Sequence, residues 1–202
     1  MKDSRQRLLI TSYDLTGNNL RLYRTSHHPD VKGHDHLRAV VVGRATSAAP
    51  TYFKPATVDD AVAPHEAVDG GVWANCPAVV ALGEAVSVLK IPLDRIDMLS
   101  VGTAGLPAFV ADPAAQGLAG WGPKAPNLFM NSQMDATLSY SKQLLGDRFM
   151  RVDDMRPRVQ AMDNPNDLDF LIARGAKVGE DFAKDVMERF VNGVSAAPWR
   201  QA

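Results

Sequence analysis

The chain has 202 residues, of which 46% are hydrophobic and 22% are charged, and its formal net charge is −1. This composition fits neither a disordered nor a fibrous class, and the near-zero net charge offers no attraction for nucleic acid. The length favours a single domain with a sizeable core. The amino terminus is charged, no apolar run approaches the roughly 18 residues of a membrane span, and Cys76 is the single cysteine. We therefore expect a cytoplasmic protein without internal disulfides.

A β-hairpin is predicted over residues 8–25. Two short apolar or alternating runs, residues 8–10 and 20–24, lie on either side of Thr16-Gly17-Asn18-Asn19. This central stretch is rich in residues that favour tight turns, which is typical of a hairpin connection.

Residues 35–105 predict a core of alternating helices and strands. Residues 35–46 predict a helix that ends near Pro50, because proline disfavours helix at the residue before it. Residues 66–68 predict a short buried strand, and Pro77 begins a helical segment that extends to Leu89. A further strand is predicted over residues 96–101.

The remaining residues predict a long loop followed by two helices. Prolines and glycines are interspersed with apolar residues over 106–126, so we expect a mobile, partly apolar loop there. This loop is either a lipid-facing lid or an ordinary connecting segment. Over residues 127–192, helices at 127–145 and 168–191 are predicted on either side of the short strand Phe149–Val152. Strands alternating with helices indicate an α/β protein.

Asp69 is the main candidate for a functional residue. It follows the predicted strand over 66–68 and precedes Gly70 and Gly71, which have no side chain. Strand ends are where α/β sheets usually place their chemistry, although Asp-Gly-Gly by itself is most often only a turn. The two glycines allow another part of the chain to approach closely.

Four motifs in the same order resemble the patatin-like phospholipase family. They are Ala45-Thr46-Ser47-Ala48-Ala49-Pro50-Thr51-Tyr52-Phe53, Val68-Asp69-Gly70-Gly71, Asn75-Cys76-Pro77 and Leu99-Ser100-Val101-Gly102-Thr103. The resemblance runs from about residue 8, through Ala161-Met162-Asp163, to the last helix. It departs from the family at Cys76, usually a second Asn, and at Ala104, usually Gly.

This resemblance implies an incomplete three-layer α/β/α fold with a central, mostly parallel sheet, so that residues 1–202 form one partial patatin-like domain. It also implies a Ser-Asp dyad that hydrolyses lipid acyl esters without a cofactor and with transient contact with a membrane surface. The family motif matches Asp69 as the general base. A carboxylate in reach of a serine hydroxyl can take its proton as the oxygen attacks an ester carbonyl.

The serine nucleophile is missing from the sequence. The family's Gly-x-Ser-x-Gly elbow and its glycine-rich oxyanion loop do not occur in these 202 residues. The nearest match places Ser195 after a predicted helix instead of a strand, and Ser47 fits better as a helix-end residue. We expect the chain alone to be inactive, with an upstream segment or a partner chain supplying the nucleophile. The alternative is a non-catalytic, patatin-derived binding or regulatory module.

A histidine-rich segment is the remaining candidate. Imidazoles and carboxylates so close in sequence can bind zinc or nickel, but the segment has no cysteine and no regular spacing. A solvated connecting loop is therefore the favoured interpretation, and no metal site is predicted. The residues concerned are His27, His28, Asp30, His34, Asp35 and His36.

Overall fold

The computed structural model describes residues 1–103, 117–122, 125–154 and 164–192 as a mixed α/β protein, which confirms the predicted class. The strands are β1 (Leu9–Asp14), β2 (Asn19–Arg24), β3 (Ala56–Val58), β4 (His65–Asp69), β5 (Met98–Val101) and β6 (Phe149–Val152). The α-helices are α1 (Ala39–Thr46), α2 (Gly71–Ala74), α3 (Ala78–Gly83), α4 (Gly117–Trp121), α5 (Ala125–Leu145) and α6 (Leu168–Val186). Turns of π-helix extend α3 over Glu84–Val88 and α6 over Met187–Val191, and 3-10 turns lie at Leu93–Arg95, Gly146–Arg148 and Pro165–Asp167.

The described residues form two compact units. The first contains Met1–Pro92 and Pro126–Ser141, and the second contains residues of Leu93–Ala125 and Lys142–Ala196. Most of helix α5 therefore belongs to the first unit, and its last turn belongs to the second.

The first unit contains a four-stranded antiparallel sheet with the strand order β2-β1-β4-β3. The predicted hairpin is confirmed as β1 and β2, whose register ends at the pair Asp14 and Asn19. The turn between them is held by the Asp14 carboxylate, which accepts a hydrogen bond from the Gly17 N–H at 2.8 Å.

Helix α1 packs on this sheet and supplies part of its core. Val42 and Ala45 are completely buried on the inward face of the helix, beside Tyr23 and Val58 of the sheet. The helix ends at Thr46, and the hydroxyl of Ser47 donates a hydrogen bond to the Gly43 carbonyl at 2.8 Å. The predicted stop before Pro50 and the assignment of Ser47 to the helix end are thus confirmed.

Parallel pairing occurs in the second unit, where β5 pairs with β6. The expected mostly parallel sheet is thus found only in part, because the larger described sheet is antiparallel. The connections give the physical reason. A parallel pair needs a crossover of a dozen or more residues, whereas residues 15–18 and 59–64 are the only residues that join β1 to β2 and β3 to β4.

The predicted loop over residues 106–126 is helical in two places. Helix α4 lies within it and helix α5 begins in it, at Ala125. Leu118 and Ala119 are good helix formers. The prediction of a loop rests instead on the many glycines and prolines nearby. Residues 104–116 lie outside the described part. Among the described helices, none combines the length and the apolar character that crossing a bilayer requires.

A buried hydrogen bond links the two strands that flank β1. The Tyr23 side chain in β2 is fully buried, and its hydroxyl lies 2.7 Å from Nε2 of His65 in β4. The other ring nitrogen, Nδ1, is 2.7 Å from the Ala63 carbonyl oxygen, which can only accept. We therefore assign the proton to Nδ1 and let Nε2 accept from Tyr23. Burial raises the pKa of Tyr23 to about 12.

Replacing Tyr23 with Phe should lower the free energy of unfolding by about 1–3 kcal/mol, because His65 Nε2 then stays buried without its donor. Tyr13→Phe is the matched control, since the Tyr13 hydroxyl bonds Asn18 at an exposed position. This control should change stability by less than about 0.5 kcal/mol. Urea denaturation followed by circular dichroism measures both, and equal losses would contradict the assignment.

Candidate active site

Asp69 is the last residue of β4 and is held on two sides by the backbone. It pairs with Ser12 of β1, and its N–H donates to the Ala48 carbonyl, just beyond α1, at 3.1 Å. Its side chain is partly buried. The strand end predicted for this residue is thus observed, and its backbone is fixed.

The two carboxylate oxygens of Asp69 have different surroundings. Oδ1 accepts a hydrogen bond from the Gly71 N–H at 2.7 Å. Within the described residues, no group donates to Oδ2. One oxygen therefore orients the carboxylate, while the other has its lone pairs available to a donor.

Gly70 is required by packing and not by its backbone conformation. Its φ of −63° is one that any residue adopts. A Cβ at this position would lie 2.5 Å from the carbonyl carbon of Thr11 and would overlap the carbonyl oxygen as well. The close approach expected at these glycines is thus confirmed for Gly70, and the partner is the backbone of β1.

Three side-chain hydrogen bonds fix this part of β1 against its neighbours. The fully buried Ser12 hydroxyl donates to the Val68 carbonyl at 2.7 Å. The indole N–H of Trp73 donates to the Ser12 carbonyl at 2.9 Å, and the Thr46 hydroxyl donates to the Thr11 carbonyl at 2.6 Å. The sequence patterns identify neither Ser12 nor Trp73 as part of this site. The one available signal was the position of Trp73, about one helical turn after Asp69.

Helix α2 begins directly after Gly70 and contacts helix α5. The Asn75 amide donates to the Met130 carbonyl at 3.4 Å, and the Gln133 amide donates to the Val72 carbonyl at 3.3 Å. Residues 130–133 of α5 therefore lie against the short helix that follows the Asp69 turn. Cys76, where the chain departs from the family motif, follows Asn75 in the sequence and is buried.

The remaining predicted positions lie in the second unit or outside the described residues. Gly102 follows β5 in the second unit, where its N–H donates to the Val152 carbonyl at 2.8 Å. Ser195 and Ala161-Met162-Asp163 lie outside the described residues.

The clustered histidines have separate partners. They pair as His27 with Glu84 (2.8 Å), His28 with Asp30 (3.6 Å), His34 with the Arg24 N–H (3.2 Å) and His36 with Asp60 (3.1 Å). The interpretation as a solvated loop is wrong for His27, which is buried because its imidazole bridges Glu84 and the Thr25 hydroxyl. No three His, Cys, Asp or Glu side chains of the described residues are grouped as metal ligands.

His34 should make the fold less stable in mild acid. Burial, assisted by the nearby Arg21 guanidinium, lowers the pKa of His34 below its ordinary value of 6.5. Its Nδ1 accepts the Arg24 N–H, a bond that protonation of Nδ1 removes. The unfolded chain then binds more protons below about pH 6.5, so the free energy of unfolding falls as the pH decreases through that range.

An Asn side chain at position 34 can place its amide oxygen near the position of Nδ1, where it accepts the Arg24 N–H, and it does not titrate. His34→Asn should therefore lose less stability than the wild type between about pH 7.5 and about pH 5.5. Urea denaturation at both pH values decides, and parallel pH dependence in the two proteins would contradict the role of His34.

Gly70→Ala should destabilise the protein by about 1–3 kcal/mol, because the added methyl group forces β1 away from the Asp69 turn. Gly43→Ala is the control, since a Cβ at Gly43 in helix α1 meets nothing within 4 Å. Alanine there should stabilise the protein by about 0.5–1 kcal/mol. Thermal unfolding measures both variants. A Gly70→Ala protein as stable as the wild type would contradict the packing role of Gly70.

Comparison with known proteins supports a phospholipase relationship. No protein-family model matches the chain. A Pseudomonas aeruginosa (strain BWHPSA011 / Pa011) protein described as a cGAMP-activated phospholipase is 27% identical over 164 residues, which cover 80% of this chain and 48% of that protein. Proteins with the same description match from Vibrio cholerae serotype O1 (strain ATCC 39315 / El Tor Inaba N16961), at 26% identity over 91% of this chain and 58% of the relative, and from Escherichia coli (strain TW11681), at 32% identity over 51% of this chain and 30% of the relative.

The chain spans about half the length of the first of these curated relatives. The Pseudomonas and Vibrio matches nevertheless cover most of the chain, including the region that carries the four motifs. The chain is therefore related to the patatin-like phospholipases, as its motifs indicate.

Proposed function

We propose that this chain is the base-bearing part of a cytoplasmic patatin-like lipid acyl hydrolase, with Asp69 as the general base of a Ser-Asp dyad. The observation that carries the proposal is the Asp69 carboxylate itself. The Gly71 N–H fixes Oδ1, and Oδ2 has no donor among the described residues. A serine hydroxyl can supply that donor.

The chemistry needs only this one carboxylate as a base. Asp69 takes the serine proton while the serine oxygen bonds to the ester carbonyl carbon, and the protonated acid then returns the proton to the departing alcohol. Water then attacks the acyl-serine. Asp69 takes a proton from this water and gives it to the serine oxygen as the fatty acid leaves. A positioned base of this kind contributes about 100- to 10,000-fold to the rate.

The serine and the oxyanion donors belong, in this proposal, to a segment or partner chain outside the 202 residues. The sequence contains no Gly-x-Ser-x-Gly. We also propose that β5 and β6 form part of a larger parallel sheet in a three-layer fold. Parallel strands are normally covered on both faces, and the Val101 side chain in β5 is instead 68% exposed.

We extend the proposal to phospholipid as the substrate and cGAMP as an activator, because the relatives are described as cGAMP-activated phospholipases. A second candidate, a non-catalytic binding module derived from such an enzyme, is favoured by the same missing Gly-x-Ser-x-Gly. When a nucleophile is supplied, Asp69 acts as its base in the first candidate and has no catalytic role in the second.

The purified 202-residue chain should not react with a fluorophosphonate probe, since labelling requires an activated serine. Labelling that disappears in Asp69→Asn would show that the chain contains its own nucleophile, contrary to the proposal.

Fusing the chain behind a patatin-like front segment that carries the oxyanion loop and Gly-x-Ser-x-Gly should give phospholipid hydrolysis. Asp69→Asn should then lower the rate at least about 100-fold. Asp59→Asn, at an exposed carboxylate beyond β3, is the control and should retain activity. Fatty acid release is measured with and without cGAMP. A fusion that folds but stays inactive would favour the non-catalytic module.

A further inference from the structure

Helix α2 is too short to hold its own position. It spans four residues, Gly71–Ala74, and isolated helices shorter than about 12–15 residues are marginal in water. Its first residue nevertheless supplies the N–H that donates to Oδ1 of Asp69 at 2.7 Å. The direction of the carboxylate therefore depends on contacts that fix α2 from outside the helix.

Side-chain hydrogen bonds join α2 and the residue that follows it to the rest of the first unit, and these bonds are unequal. The indole N–H of Trp73 donates to the Ser12 carbonyl at 2.9 Å, in a partly buried position. The bonds made by the amides of Asn75 and Gln133 are 3.4 and 3.3 Å long and exposed. An N–H···O bond is normally roughly 2.7–3.2 Å long, and an exposed bond competes with water. The bond from Trp73 is therefore the strongest of these contacts.

Both ends of the Asp69 turn are attached to the same residue of β1. Asp69 pairs with Ser12 in the sheet, and the Trp73 indole donates to the carbonyl of the same residue. Ser12 is itself held in place, because its buried hydroxyl donates to the Val68 carbonyl at 2.7 Å. The segment from Asp69 to Trp73 is thus closed on β1 as a short loop, and Gly71 lies within that loop.

Tryptophan suits this position because its donor lies at the far end of a large and rigid side chain. The indole N–H can only donate, and it usually finds a partner when the ring is covered. Phenylalanine keeps an aromatic ring but has no donor. Trp73→Phe therefore removes the bond to Ser12 and retains most of the packing.

We propose that Trp73 is a positioning residue for the Asp69 carboxylate. Its indole N–H keeps α2 on β1, and α2 in turn keeps the Gly71 N–H on Oδ1, so that Oδ2 stays in one direction. Trp73 itself touches no reacting atom. The effect on turnover rests on the proposed function, whereas the effect on the Gly71 N–H does not.

Amide hydrogen exchange of the 202-residue chain, followed by NMR, tests the positioning. In Trp73→Phe the Gly71 N–H should exchange at least about tenfold faster than in the wild type, because its bond to Oδ1 opens more often. Tyr13→Phe, which removes a hydroxyl bond at an exposed position, is the control and should leave this rate unchanged. The Gly102 N–H, bonded within the second unit, should exchange at the wild-type rate in both variants.

The fusion with a patatin-like front segment tests the effect on turnover. Trp73→Phe should lower kcat at least about tenfold and leave KM nearly unchanged, because a displaced base slows the chemical step without altering lipid binding. It should cause no further loss in the Asp69→Asn background, since Trp73 acts through Asp69. A merely structural role would lower the rate by the same factor in both backgrounds. Tyr13→Phe should retain the wild-type kcat.

A second variant removes the donor without changing the size of the ring. Incorporating 3-benzothienylalanine at position 73 replaces the indole N–H with sulfur. This variant should reproduce the results of Trp73→Phe in both experiments. It decides the question if Trp73→Phe does not fold by circular dichroism.

Each outcome decides the proposal. Unchanged exchange of the Gly71 N–H in the position 73 variants would overturn it, whether or not the fusion is active. So would an active fusion in which Trp73→Phe lowers the rate equally in the wild-type and Asp69→Asn backgrounds. Faster exchange of the Gly71 N–H together with an inactive wild-type fusion would overturn the proposed function and leave the positioning role standing.

Discussion

The contact between Gly70 and the Thr11 backbone determines how this part of the molecule is built. Because Gly70 has no Cβ, the chain passes directly over β1 at the point where β4 ends. Strand β4 ends at Asp69, and helix α2 begins at Gly71. The carboxylate of Asp69 is thereby held at the last position of the strand, where the Gly71 N–H can reach it.

The sheet supports this contact because its buried polar groups are paired across strands. The Tyr23 hydroxyl joins β2 to β4 through His65, and the Ser12 hydroxyl joins β1 to β4 through the Val68 carbonyl. Buried polar groups are costly when unpaired, so a shifted register would lose both bonds at once. The polar network therefore specifies the register that places Asp69 opposite Ser12, while the apolar side chains of α1 and the sheet supply most of the burial.

The sequence predicted those features that depend on local patterns. The hairpin, the strand before Asp69, the strand Phe149–Val152 and the two long helices all follow from periodicity and turn residues within one segment. The antiparallel sheet order was not predictable in this way, because β1 and β4 are far apart along the chain. The same holds for the partners of Asp69, since Ser12 is 56 residues from Val68 and 61 residues from Trp73. The partners of His27 were missed for this reason too, because Glu84 lies 57 residues away.

An anchored backbone and an accessible carboxylate are complementary requirements for a base that acts on lipid. The backbone bonds of Asp69 fix the position of the side chain, so little reorganisation is needed when a serine approaches. Under the proposed function, Oδ2 of Asp69, to which no described residue donates, then needs only the approach of the serine hydroxyl, because the Gly71 N–H already sets the direction in which the carboxylate accepts a proton.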